Sequence, residues 1–242
     1  MKHLKRLLIT TSLATALMLT FSISAFAAET SQITTTGTGI VNVQPDTAKI
    51  SLSTETNGKT AALAQNENNK ITSNITKKLK EAGIPQDNII TTYSYVYPNY
   101  QYDEKTGKNN LISYQATSIL EVTTKDVDHA GNYIDVALNA GATGFQNIYF
   151  TLENPNAYYA EALKAAVANA QNSASIIANA YGRPLGTIQT VVEQPSYNSY
   201  RETSGTIEKM QSSDEMMGQN NGTLIQYDDI QVSATITATY NY

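Results

Sequence analysis

Between Ala157 and Ala180 ten of the residues are alanine. Few features restrict a fold more. Alanine has the highest helix propensity of any residue, and Asn154-Pro155 ahead of the run supplies an N-cap type followed by proline at the first helical position. Gly182 and then Pro184 end it. The stretch therefore predicts a long helix with a slim profile, able to lie close against a sheet or another helix. Its larger apolar residues, Leu163, Val167, Ile177 and Tyr181, alternate with Ala170 and Ala174 at steps of four and three. This spacing predicts them as the buried stripe.

The same logic finds a second long helix over about 60–82. Leu63, Ile71, Ile75 and Leu79 fall at multiples of four, with Lys and Asn on the opposite face. Gly83 and Pro85 close it. A short connecting helix is expected from about Asp126 to Ala140, with Val127, Ala130, Ile134 and Leu138 as its stripe.

Between the helices lie runs with period-two alternation. One strand is expected from near Thr36 to Leu52, bent or bulged at Pro45-Asp46. Ile89–Tyr97 and the stretch from Ile112 to Val122 make a hairpin around the polar loop Asp103–Asn110. Further strands are expected at Ile148–Leu152, Leu185–Val192 and Leu224–Tyr240. In the last, Ile230, Val232, Ala234, Ile236, Ala238 and Tyr240 share a face. Residues 194–222 carry Pro, Ser, Asn and Gly with little periodicity and are expected to form a long mobile loop. Met210, Met216 and Met217 in it read as exposed loop residues or as a cap on an apolar surface.

The order β-α-β-β, helix, β-α-β-β has a local echo. Ala82-Gly83-Ile84-Pro85 precedes Ile89, and Tyr181-Gly182-Arg183-Pro184 precedes Ile188. The chain therefore reads as an α+β fold of duplicated βαββ units. Each has an antiparallel sheet covered by one long helix, with the short helix as connector.

The N-terminus reads as a secretory signal over residues 1–27. Lys2, Lys5 and Arg6 are followed by 22 uncharged residues, Leu7 to Ala28, ending in Ala25-Phe26-Ala27-Ala28. The small residues fit a signal-peptidase site, with cleavage after Ala27 or, as the near alternative, Ala28. An uncleaved anchor is the competing reading, because the run is long enough to span a bilayer. Interspersed Thr and Ser and the absence of a positive stop-transfer flank favour cleavage. Residues 28–35 follow as a flexible leader and 36–242 as a single domain, exported to the periplasm, the cell envelope or the medium, with no membrane span once the signal is removed.

Three of the 16 basic residues and none of the 21 acidic ones lie in the signal, so the mature chain carries net charge −8. An acidic domain repels nucleic acid and anionic headgroups. With no cysteine, stability rests on a packed core, and thiol redox chemistry and thiolate metal sites are excluded. About 200 residues suffice for such a core.

Gly37-x-Gly39 with Val43-x-Pro45-Asp46-x-Ala48 resembles the opening of the SIMPL-domain family. Leu79-x-x-Ala82-Gly83-Ile84, Asp87-x-Ile89-x-Thr91, Tyr97-Pro98-x-Tyr100, Tyr114-x-Ala116, Gly141-Ala142 and the Ala-rich helix after Phe150 follow in the family's order. The resemblance covers residues 34–242. It implies a bacterial envelope protein related to periplasmic immunogenic proteins and linked to oxidative-stress tolerance. Some members assemble into ring- or channel-like oligomers, so a homo-oligomer is expected. The family has no established catalytic residue or cofactor, so none carries over. The long loop before the last strand departs from many relatives.

The residues themselves point the same way. His129, the one histidine left after export, sits in Asp126-Val-Asp128-His129. It reads either as a metal or base site or as part of a helix start capped by Asp; the second is favoured. No second His or Ser-centred turn completes a zinc set or a triad. Asp228-Asp229 lies just before the last strand, where successive residues diverge to opposite faces. Asp103–Asn110 lacks the alternating oxygen ligands of a Ca²⁺ loop. Gly37-x-Gly39 precedes a strand and not a helix, so it reads as backbone freedom at a strand start and not as a phosphate cradle. No catalytic, cofactor or metal residue is assigned.

The surface feature that stands out is Tyr93, Tyr95, Tyr97, Tyr100 and Tyr102. The first three share a strand face by period two. Two readings follow: a surface that grips sugar rings, a small ligand or a partner chain, or packing against Tyr114 across the hairpin.

Overall fold

The computed structural model describes residues 31–194, 203–204, 206–208 and 223–242. The export segment and its cleavage site lie outside the described residues, as does most of the expected loop 194–222.

The chain forms β1 (Gln32–Val43), β2 (Thr47–Gly58), α1 (Ala61–Glu81), a 3-10 turn (Gln86–Asn88), β3 (Ile89–Asp103) and β4 (Lys108–Thr124). Then come α2 (Ala130–Asn139), β5 (Gly144–Thr151), α3 (Pro155–Ala180) and β6 (Ile188–Gln194). Short strands β7 (Thr203–Ser204), β8 (Thr206–Glu208) and β9 (Leu224–Gln226) precede β10 (Ile230–Asn241). One antiparallel sheet has the order β3-β4-β2-β5-β7, a second has β1-β10-β6, and β8 pairs with β9. Helix α1 packs on the first sheet and α3 on the second. The α+β class and the two helix-covered sheets are as the sequence predicts.

The strand expected over 36–52 is two strands in two different sheets. The stretch expected to be a flexible leader already belongs to β1 from Gln32. Pro45 has no N–H to donate, which ends the ladder there. Asp46 then holds the corner: its Oδ1 accepts from the Glu153 backbone N–H at 2.8 Å, and its own N–H donates to the Thr151 carbonyl at 3.2 Å. One aspartate thus ties the β1–β2 crossover to the point where β5 hands over to α3.

This crossover changes the duplication. In the first unit the sheet order is β3-β4-β2; in the second it is β6-β10-β1. The place of β2 in the second unit is filled by the N-terminal β1. Strand β5, which precedes α3 and was expected there, instead pairs with β2 in the first sheet. The stretch predicted as one last strand is likewise divided, into β9 and β10. Residues 203–204 and 206–208, inside the expected loop, form strands.

Each helix buries a different face from the one its large residues suggest. On α3 the buried residues are Ala162, Ala166, Ala170, Ala174 and Ala178, all at 0% exposure. Val167, Ile177 and Tyr181 are exposed. The cause is the closeness of β1. A Cβ added at Gly37 would lie 2.1 Å from the Ala166 carbonyl oxygen, and one at Gly39 would lie 1.9 Å from that of Ala162. Neither glycine has positive φ. Both are there for the approach of the helix backbone, not for conformational freedom. Thr35 Oγ1 adds a hydrogen bond to the Ala170 carbonyl at 2.9 Å.

On α1, capped by Thr60 Oγ1 accepting from Leu63 N at 3.2 Å, Leu63 is exposed while Ala64, Asn68, Ile75 and Leu79 are buried. Asn68 Nδ2 donates to the Thr54 and Ala116 carbonyls at 3.0 and 3.1 Å, and its Oδ1 accepts from Ser118 Oγ at 2.6 Å. A fully buried amide is tolerated because its donors and its acceptor are engaged. Ile50, Leu52, Leu79, Leu120, Ile148 and Phe150 anchor this core. No helix among the described residues is long and apolar enough to cross a membrane.

Candidate functional site

Strand β3 is the edge of the five-stranded sheet. Tyr93, Tyr95 and Tyr97 stand opposite Ile119, Thr117 and Gln115 of β4. By strict alternation the even-numbered Tyr100 and Tyr102 would point to the other side. The register shifts between Asn99 and Tyr100, after which Tyr100 faces Leu111 and Tyr102 faces Asn109. Residues opposite one another in a ladder share a face, and all five partners are odd-numbered residues of β4. The even-numbered Ala116, Ser118, Leu120 and Val122 are the buried ones, facing the side that α1 covers. The bulge therefore places all five tyrosines in one row on the open face of the sheet. A second shift, between Thr91 and Tyr93, starts the row. The bulges come from Pro98-Asn99 and the Thr-Thr-Tyr run, the kind of local irregularity that re-aims side chains at sheet edges.

The tyrosines are 39% to 65% exposed. Tyr95 and Tyr97 stack with ring centroids 5.7 Å apart and planes 23° from parallel. Tyr114, expected opposite the row, pairs with Pro98 and so stands on the other face. Polar groups border the row instead. Gln115 Nε2 donates to Glu55 Oε2 at 2.9 Å. Thr117, opposite both Tyr95 and Glu55, is 3% exposed, and its Oγ1 has no hydrogen-bond partner. Sequence reading finds the tyrosines, but no signal in it marks Thr117, Gln115 or Glu55, which are brought in by the pairing of β2 with β4.

At the far end the hairpin turns through Gly107 at φ +65°, with Lys105 N donating to Asp103 Oδ1 at 2.9 Å. Hydrogen bonds, first from the Thr106 side chain and then from the Lys105 backbone, hold the Asp103 carboxyl below its ordinary pKa. A shallow recess there is lined by Tyr102, Asp103, Lys105 and Asn110, among others.

The other acidic groups do something else. Helix α2 begins at Ala130, and no side chain caps it. Asp126, expected to cap, accepts instead from His129 Nδ1 at 2.7 Å and from Tyr133 Oη at 3.3 Å. Asp128 accepts from Tyr227 Oη at 2.7 Å. The Asp126 contact raises the His129 pKa and lowers that of Asp126. Among the described residues no group of three or more His, Asp or Glu is placed to hold a metal ion. Asp228-Asp229 lies in the connection between β9 and β10. Tyr227 beside it packs on Phe150 with ring centroids 4.5 Å apart, and Asp135 clamps Thr223 through its backbone N–H and hydroxyl at 2.8 and 2.7 Å.

The family profile of SIMPL, described as a protein of unknown function, matches residues 33–240. The chain belongs to the SIMPL family. It is 31% identical over 184 residues to the 26 kDa periplasmic immunogenic protein of Brucella melitensis, covering 72% of this chain and 73% of that one. It is 30% identical over 182 residues to the uncharacterized protein YggE of Escherichia coli K12, covering 73% of each, and 29% identical over 159 residues to YggE of Edwardsiella ictaluri, covering 66% of each. The match spans both sheets and the β3 hairpin of this SIMPL protein, and the family carries no assigned reaction.

Proposed function

We propose that this SIMPL protein is an exported, non-enzymatic protein of the cell envelope that self-associates and serves envelope or oxidative-stress tolerance. The observation that carries self-association is β6. It is the edge of the three-stranded sheet, every residue from Ile188 to Gln194 is exposed, and among the described residues nothing pairs its outer side. Ile188, Val191 and Val192 are 50%, 51% and 58% exposed on a strand whose single charge is Glu193. An apolar edge without lysine, proline or a cover is a template for a second strand. Export is supported by the signal-like N-terminus, and the periplasmic setting by the name of the Brucella relative.

Light scattering on the size-exclusion peak tests the reading. The wild-type chain is expected to run as an oligomer at micromolar concentration, and Val191→Lys, which places charge on the edge, is expected to lower its mass. A strict monomer overturns self-association.

A second reading is favoured by the tyrosine row. The open face of β3 is a binding surface for cell-wall glycan or a small ligand.

A further inference from the structure

Resting on that second reading, we infer that the ligand of the β3 face is a linear, uncharged glycan chain lying along the strand, with Thr117, Gln115 and Glu55 as its polar contacts. Three observations lead there.

The first is the shape of the row. Tyr93 to Tyr102 spans about 30 Å at the rise of a strand, and the bulge at Asn99 keeps the rings on one face throughout. A compact ligand would cover only part of it. The second is the edge itself. Pro98 lacks a backbone donor, and two register shifts break the ladder. A strand from another chain finds a poor hydrogen-bonding edge here, in contrast to β6. The partner that fits must use the face and not the backbone. Sugar rings do so: their C–H faces stack on aromatic rings while their hydroxyls reach the phenols.

The third is chemistry. From Ile89 to Tyr102 the strand has no charged side chain, and the acidic chain repels anionic polymers. Beside Tyr95 the 3%-exposed Thr117 keeps an unpartnered hydroxyl, an arrangement that costs free energy unless something engages it. Glu55, already held by Gln115, is a fixed acceptor for sugar hydroxyls.

The test is titration calorimetry of the full secreted chain with a soluble chitin hexamer, and with N-acetylglucosamine alone. The hexamer is expected to bind and the single sugar to bind far more weakly. Tyr95→Ser with Tyr97→Ser is expected to weaken hexamer binding about tenfold or more, while Tyr95→Phe with Tyr97→Phe, which keeps the rings, retains most of it. Thr117→Val is expected to weaken binding without lowering the melting temperature, since it removes a hydroxyl with no partner in the fold. These variants lie on an exposed face, and circular dichroism checks that each is folded. Equal affinity for hexamer and single sugar overturns the extended platform and leaves the face as a small-ligand site. Binding of neither sugar, or hexamer binding undiminished in the serine pair, overturns both the inference and the reading it rests on. A fall in oligomer mass in the serine pair also overturns both, because the row is then a contact between copies.

Discussion

At the residue scale, the His129–Asp126 contact is a surface ion pair with a defined pH window. The carboxylate beside it raises the His129 pKa above its ordinary value, and the imidazolium lowers that of Asp126. The histidine contribution is fully present below its unfolded pKa of about 6.5 and is lost as pH rises through the higher folded value. The Asp126 contribution is present above its unfolded pKa of about 3.9 and is lost as pH falls through the lower folded value. Thermal melts of His129→Ala against wild type are therefore expected to differ most between these limits, near pH 5.5, and to converge by pH 8.5. Both side chains are largely exposed, so the difference is small. Equal differences at both pH values would mean that the pair does not form. Sequence reading finds both residues but assigns Asp126 to the helix cap, because nothing local reveals that the carboxylate turns to His129 and Tyr133. Asn68 is the opposite case. Its polar side chain marks it for the solvated face of α1, and only the sheet carbonyls above it make burial tolerable.

At the element scale, the contact between α3 and β1 is set by atoms that are missing. Two glycines on the strand meet a file of alanines on the helix. Gly39→Ala would place a methyl 1.9 Å from the Ala162 carbonyl oxygen. It is expected to cost on the order of 3 kcal/mol as the helix is pushed off the sheet, a drop in melting temperature of roughly 5–10 °C for a chain of this size. A melting temperature within a degree of wild type would contradict the packing. Gly-x-Gly and the alanine run are both plain in the sequence; their partnership is not, because more than 120 residues separate them. The same holds for the tyrosine row. Alternation places three rings on one face, and a bulge that only the β4 register reveals brings in the other two.

At the scale of the whole molecule, the exchange of first strands joins the two units. Strand β1 completes the sheet of the second, β5 extends the sheet of the first, and Asp46 holds both crossovers together. Neither sheet keeps all its strands if the other unit is removed. The described fold is therefore expected to unfold in one cooperative step. Circular dichroism and tyrosine fluorescence should give coincident denaturant curves, although the fluorescence is weighted toward the β3 row. Two separated transitions would show that the units fold independently.

The sequence by itself determined the helices, the strand runs, the α+β class and, through its ordered motifs, the SIMPL family, because propensity, period and capping are local properties of neighbouring residues. Tertiary structure decided which sheet each strand enters, which face each helix buries, and that five tyrosines form a single row. Those outcomes depend on hydrogen-bond register and on how closely a backbone can approach. Both are set between segments far apart in the chain. The alanine run shows the division most clearly. Composition makes it a slim helix, but the glycines of β1 select the alanine file for burial and leave Val167, Ile177 and Tyr181 facing solvent.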